Sequence, residues 1–410
     1  VNHAQLKEYR ACLALRHCLH IGPRTWKRLC DFYGSAAEAV EDYASWREHR
    51  LVSARQYDSF VSKTWEQGQE EEHAAARIHR QCVVLSTDPR FPEALRQLPD
   101  PPLFLYYSGQ ISLLKNPCVA VVGSRMCSTA GVNMARRICR ELSAAGITVV
   151  SGMARGIDRQ AHLASVEGPG ATIGVLATGL DQTFPLENSD VRRRIESRGL
   201  LLSEFAPGTE ALPGNFPVRN RLVSGLSLGV VVVEAAKRSG TQITARLALD
   251  QGREVYALHG PEGTPSFEGC RHLLEDGAHE IHSASEIILD LSAQITACLE
   301  GKSPFAGRKT VMSPHQSKLP HMNMAPRDDF ESKKRQPPET ALASSCLAGL
   351  EQDSDEFAVA SLLSARTQTH IDALSRELGW EASRTSSALL MLELDGRVHQ
   401  LPGMEYVLSA

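Results

Sequence analysis

Short apolar runs separated by helix-patterned stretches dominate the middle of the chain. Val119 to Val122, Ile147 to Val150, Ile173 to Ala177, Leu200 to Ser203, Gly229 to Val233 and Glu254 to Leu258 read as strands. Between them, Thr129 to Ala145, Gly156 to Val166 and Thr241 to Gln251 carry the period of amphipathic helices. Short strands alternating with crossover helices of ten or so residues imply right-handed βαβ units and a parallel sheet covered on both faces. The expected fold class is α/β, with a Rossmann-like parallel core over residues 82–295.

The flanks follow other patterns. Residues 1–80 are helical in period and are broken at Ile21-Gly22-Pro23-Arg24-Thr25, which suggests a SAM-like or helix-hairpin-helix domain. Such a hairpin can set backbone amides against DNA phosphates, although Gly-Pro between helices is first of all a turn. Residues 296–350 form an expected flexible linker, since Gly301 to Thr340 holds six prolines, eight Lys or Arg and few apolar residues. Residues 351–410 suggest helices around Ile371 to Leu378 and Ala382 to Asp395, followed by a hairpin of Val398 to Leu401 and Tyr406 to Leu408. Helices closed by a terminal hairpin predict a winged helix.

Chemistry concentrates where strands give way to helices. Gly123, Ser124 and Arg125 follow the first core strand, Arg155 and Gly156 follow the second, and Ser239, Gly240 and Thr241 open the helix after the valine strand. Free amides at a helix start attract oxyanions, and glycine lets a phosphate approach the backbone closely. In a parallel sheet these three turns share one edge, where ligands of such folds bind. Arg219, Asn220 and Arg221 add a cationic cluster, and an arginine presents a planar fork to phosphate. A phosphorylated ligand is expected there.

Several competing chemistries are weakened by context. The turn after Val122 is not G-x-G-x-x-G, so nicotinamide or flavin binding loses its main support, and no cofactor is expected. Gly225-Leu226-Ser227-Leu228-Gly229 spells a nucleophile elbow but has its helix before and its strand after, the reverse of what the elbow needs. Gly301-Lys302-Ser303 lacks the first glycine of a P-loop, Thr296 standing in its place. His162 beside Asp158 and the carboxylates Glu204 and Glu234 read more simply as packed or ion-paired groups than as a catalytic set, so no catalytic residue is assigned. Ten scattered cysteines without C-x-x-C or zinc spacing argue for reduced thiols and no metal.

The formal net charge of −4 is unevenly spread. Pro117 to Asp250 carries 15 Lys and Arg against 11 acids, whereas Glu351 to Ala410 carries 4 Arg against 10 acids. An acidic winged helix is poorly suited to neutralising several duplex phosphates, so a protein partner is expected for it. The opening VNHAQLKEYR lacks a secretory pattern, and no apolar run reaches membrane-spanning length, so a cytoplasmic protein with no membrane contact is expected.

The blocks VVGSR, SGMARGID, TGLD, SEFAPG, PGNFPVRNRLVSGLS, VVVEAAKRSGTQITARLALDQGREVYAL and GCRHLLEDGA, in that order, resemble the DprA/Smf family of bacterial DNA-processing proteins. The resemblance covers about Val83 to Leu291, and more weakly the two flanking domains. It implies a protein of natural transformation that binds and protects incoming single-stranded DNA, forms a homodimer through the Rossmann-like domain, and loads the RecA recombinase while countering the single-strand-binding protein. By motif, Arg125 and the Arg219, Asn220, Arg221 cluster would contact DNA phosphate or line the groove, Phe216 could stack on a base, and Ser239, Gly240 and Thr241 would form a phosphate-facing helix start. His259-Gly260-Pro261 departs from the family's usual Pro-Gly, and the linker is unusually long. The alternative is a nucleotide-processing enzyme of the lysine-decarboxylase-like or phosphoribohydrolase type. Those resemble a PGGxGT-x-x-E pattern, which Lys237-Arg238-Ser239-Gly240-Thr241 lacks, with Thr244 where the glutamate would stand.

Overall fold

In the computed structural model, residues 3–237, 239–260, 264–305, 354–364, 369–380, 398–401 and 405–408 are described, with Thr385, Ala388, Leu389 and Leu392. The chain divides into two compact units, residues 1–326 and 327–410.

The first unit begins with helices α1 (His3–His17), α2 (Pro23–Tyr33), α3 (Ala36–Glu41), α4 (Ala54–Val61) and α5 (Trp65–Ile78). Local chemistry sets their ends. Pro23 opens α2, where a missing amide hydrogen costs nothing, and Gly34 closes it at φ +87°, a backbone conformation that glycine adopts without strain. Ser53 and Gln56 form a reciprocal capping box on α4. These helices share a core with the sheet: Leu13, Leu15, Trp26 and Leu29 pack in one cluster with Phe104, Tyr106 and Leu201. At that seam Glu72 is buried, takes a bond from Tyr106 at 2.7 Å and pairs with Arg16 at 3.1 Å.

The sheet is built from β1 (Cys82–Leu85), α6 (Glu93–Arg96), β2 (Phe104–Gly109), β3 (Cys118–Val122), α7 (Thr129–Ala144), β4 (Thr148–Ser151), α8 (Ile157–Ser165), β5 (Thr172–Val175) and α9 (Ser189–Arg198). It continues with β6 (Leu200–Ser203), α10 (Asn215–Gly225), β7 (Gly229–Val232), α11 (Gly240–Asp250), β8 (Glu254–Leu258), α12 (Glu268–Glu275), β9 (His279–Ile281), α13 (Ala284–Asp290) and α14 (Ser292–Leu299). Its strand order is β1-β2-β6-β5-β4-β3-β7-β8-β9. From β6 to β9 every pairing is parallel, and the central strands are buried along their whole length because helices cover both faces. The other edge departs from the all-parallel expectation: β1 pairs antiparallel with β2, and β2 antiparallel with β6.

The connectivity positions the site. From β3 the chain steps through β4, β5 and β6 in one direction, then returns to place β7 on the opposite side of β3. A reversal of this kind opens a crevice at the carboxyl ends of the strands. Helix α14 runs across the 295/296 boundary drawn from sequence, and Phe305 is buried with Arg253 stacked on its ring. The rest of the expected linker lies outside the described residues.

The second unit contains α15 (Asp355–Ser364), β10 (Thr369–His370), α16 (Ile371–Leu378), β11 (Val398–Leu401) and β12 (Glu405–Leu408). Its sheet has the order β10-β12-β11, and Val359, Leu363, Leu374, Leu389 and Val398 share its core. The terminal hairpin is the wing. Most of the helix expected over Ala382 to Asp395, with its charged residues, lies outside the described residues.

Candidate nucleic-acid interface

The three glycine-bearing turns do come together at the carboxyl edge. The glycines of the first two turns, however, serve the protein's own packing. Ile157 N donates to Ser124 O at 3.1 Å, locking the turn after β3 to the turn after β4. A Cβ on Gly156, which sits at φ +72°, would lie 2.2 Å from Ser124 O. A Cβ on Gly123 would collide with Ile157, and one on Gly152 with the guanidinium of Arg219. Ser124 Oγ closes its own turn, donating to Met126 O at 2.9 Å.

The helix starts differ. That of α7 is already occupied by an internal anion: the buried Glu234 carboxylate accepts from Ser128 N at 3.0 Å and from Ser128 Oγ at 2.9 Å. The carboxylate thus complements the α7 dipole, as an added phosphate would. At α11, among the described residues, no side chain caps the first turn and the buried Ser239 Oγ has no hydrogen-bond partner, while Gly240 is exposed with open space where a Cβ would be. Thr241, one residue on, is buried. Lys237 stands exposed on the approach to this helix start.

The arginines divide sharply. Arg125 is exposed, has no carboxylate partner among the described residues, and lies over the Phe216 ring with Cζ 5.3 Å from its centre. Arg219 lies 5.8 Å from the centre of the same ring but is buried. Its guanidinium donates to the carbonyl oxygens of Gly152 and Val175, at the carboxyl ends of β4 and β5, the latter at 2.5 Å. Burial pulls Arg219 down to about 10, a value that keeps it charged at neutral pH. Asn220 accepts from Arg219 Nε at 3.0 Å and so orients that side chain.

Arg221 does not reach the edge. It is buried, pairs with Glu204 at 2.5 Å, and has Asp100 at 3.5 Å. Burial opposes its charge, but Glu204 and Asp100 outweigh that and hold it above the ordinary guanidinium value. The sequence-based place for Arg221 in a phosphate groove is therefore corrected: it is an interior cation spent on an interior carboxylate. Arg155 is exposed and paired with Glu187. An exposed pair of this kind contributes only about 0–1 kcal/mol, so a phosphate can replace the glutamate.

One edge residue escaped the sequence reading. Phe184 is 47% exposed and meets Phe216 edge to face, with ring centres 5.9 Å apart. The two rings flank a narrow slot floored by Gly152, Leu176 and Thr178. Phe184 sits in an irregular segment between β5 and α9 and has no periodic signal.

The residues weighed for catalysis are otherwise engaged. His162 is fully buried, its Nδ1 is 2.8 Å from Thr172 Oγ1, and burial with Arg219 nearby pushes it down to about 3. Asp158 accepts from Gly152 N and Ala154 N behind Arg219. Ser227 is buried between α10 and β7, bonded to Val223 O at 2.9 Å. Thr244, where a phosphoribohydrolase-like pattern would have glutamate, is buried with its hydroxyl on Gly240 O. Among the described residues no group of His, Cys, Asp or Glu is arranged to hold a metal, and no helix is long and apolar enough to cross a membrane.

Comparison with known proteins agrees with this architecture. The family model for DNA recombination-mediator protein A matches residues 82–292, and that for the DprA winged helix domain matches residues 334–404. DNA processing protein DprA of Streptococcus pneumoniae is 40% identical over 203 residues, covering 50% of this chain and 72% of that protein. Protein Smf of a Synechocystis strain is 32% identical over 327 residues, covering 78% of each. The X-ray structure of the Streptococcus pneumoniae protein superposes with a TM-score of 0.60 at 29% identity, covering 71% of this chain and 98% of that one. A parallel sheet with its reversal beside β3, ordered motifs along its carboxyl edge and a terminal winged helix thus place the chain in the DprA/Smf family of DNA-processing, recombination-mediator proteins.

Proposed function

We propose that the carboxyl edge of the sheet binds single-stranded DNA without sequence preference, with Arg125, Arg155 and the Ser239-Gly240 helix start taking phosphates and Phe216 and Phe184 taking bases. The observation that carries this reading is the cluster at the edge: the Phe216 ring has the guanidinium of exposed Arg125 5.3 Å and that of anchored Arg219 5.8 Å from its centre. An aromatic platform with positive charge beside it suits any nucleotide, because every base has a stacking face and every nucleotide a phosphate. Internal satisfaction of Arg219 by two strand carbonyls keeps the platform rigid before the strand arrives. Arg221 and Asn220 support the site from behind rather than touching the ligand.

In this reading the family's role follows: the protein holds incoming single strands in the cytoplasm, acts as a homodimer, displaces the single-strand-binding protein and delivers the strand to RecA. Anisotropy titrations of labelled oligonucleotides across salt test the binding step. Single strands should bind more tightly than duplexes of the same sequence, with a logarithmic salt slope growing by about 0.7 per phosphate engaged. Equal affinity for duplex, or release of free base from nucleoside monophosphates, would contradict the reading.

A further inference from the structure

The helical region carries a second cationic surface. On α2, Arg24, Arg28 and Phe32 recur at intervals of four and so lie on one stripe of the helix. The opposite face is spent on the core, where Trp26 and Leu29 are buried and Trp26 Nε1 donates to Pro101 O at 2.9 Å. Beside the stripe runs an open groove of about 410 Å³ that Arg24, Lys27, Arg28, Phe32 and Leu51 line. Its one acid, Asp31, is already met by Lys27 at 2.8 Å. Among the described residues Arg28 reaches only a carbonyl, Leu51 O at 3.1 Å, and Arg24 has no partner. Phe32 is 53% exposed, at the end of the stripe, with the His49 ring 4.7 Å away. Arg50, exposed, adjoins Leu51.

Two guanidiniums without a carboxylate partner among the described residues, in line with an exposed aromatic, repeat the chemistry of the sheet edge. We infer that this face of α2 is a second contact site for single-stranded DNA, with Arg24 and Arg28 on phosphates and Phe32 against a base. The surface follows from the helical region alone, while the choice of single-stranded DNA over another polyanion rests on the function proposed above.

The test uses the full chain and oligothymidylates of increasing length. Charge reversal at Arg24, which is exposed and has no hydrogen-bond or ion-pair partner among the described residues, should leave the fold intact by circular dichroism. For long oligonucleotides, Arg24→Glu should lower affinity several-fold and flatten the salt slope by about 0.7, and Arg28→Ala should act alike. For oligonucleotides too short to reach beyond the sheet edge, both variants should match the parent. Unchanged long-oligonucleotide binding in both variants, while Arg125→Ala weakens it, would overturn the second site and leave the edge standing. If the parent binds no single strand, the edge reading itself fails. If the variants instead lose only duplex or acidic-peptide binding, the face is a site for that partner and the inference is wrong.

Discussion

Arg125 and Arg221 are both arginines in motifs of the same family pattern, yet one faces solvent and the other is sealed inside. Arg125 follows β3, has no carboxylate partner among the described residues, and stacks on an aromatic ring. Arg221 lies on α10, only five residues from that ring, and is consumed by Glu204 and Asp100. The difference teaches that a cation's place in a motif does not state its work. An internal carboxylate within 3 Å of a buried guanidinium converts a would-be ligand group into part of the scaffold.

The scaffold side of this contrast should give the largest effect. Arg221→Ala strands the Glu204 carboxylate in the interior, and breaking a buried pair from one side costs about 3–5 kcal/mol. Chemical denaturation should show that loss, whereas Arg125→Ala should leave stability within about 0.5 kcal/mol. Equal stability losses in the two variants would erase the distinction.

A smaller, pH-dependent effect belongs to the interior behind Arg219. His162 titrates at about 3 in the folded chain against 6.5 for an ordinary histidine. The unfolded chain therefore takes up a proton first as pH falls. Stability from this residue is complete above about 6.5 and declines as pH drops toward 3, by about 2 kcal/mol at pH 5. His162→Gln should flatten the acid limb of the stability profile over that window. An unchanged limb would mean that the imidazole is not held neutral.

The edge side yields effects on binding alone. Phe216→Ala should weaken oligonucleotide binding by about 1–3 kcal/mol, the range for one base–aromatic stack, with little change in salt slope. Phe184→Ala should act in the same direction but less, because its ring meets Phe216 by an edge and has no cation on its face among the described residues. A Phe184 effect exceeding that of Phe216 would move the base platform to the loop between β5 and α9.

Much of this was legible in the residues, for physical reasons. Core strands flanked by helices on both faces must be continuously apolar, so Leu200–Ser203 and Glu254–Leu258 stand out at their actual bounds. β2 was hidden behind Pro101 and Pro102, and β9 has three residues, two of them exposed. The glycine turns lie at the sheet edge where the sequence pattern puts them, and three of their glycines have a packing role there. Gly123, Gly152 and Gly156 make room for Ile157, Arg219 and Ser124, contacts between segments distant in sequence that no local pattern encodes. Helical period alone does separate Arg219 from Arg221, since residues two apart point in different directions, and it pairs Phe216 with Arg219 at a spacing of three. Phe184 carried no comparable signal.

The measurement that bears most directly on the account is the salt dependence of single-strand binding by Arg125→Ala beside the parent chain. The account predicts weaker binding at low salt and a logarithmic slope shallower by about 0.7, with the folded state unchanged. Identical affinity and slope at every salt concentration would show that Arg125, and with it the Phe216 stack, does not face the DNA.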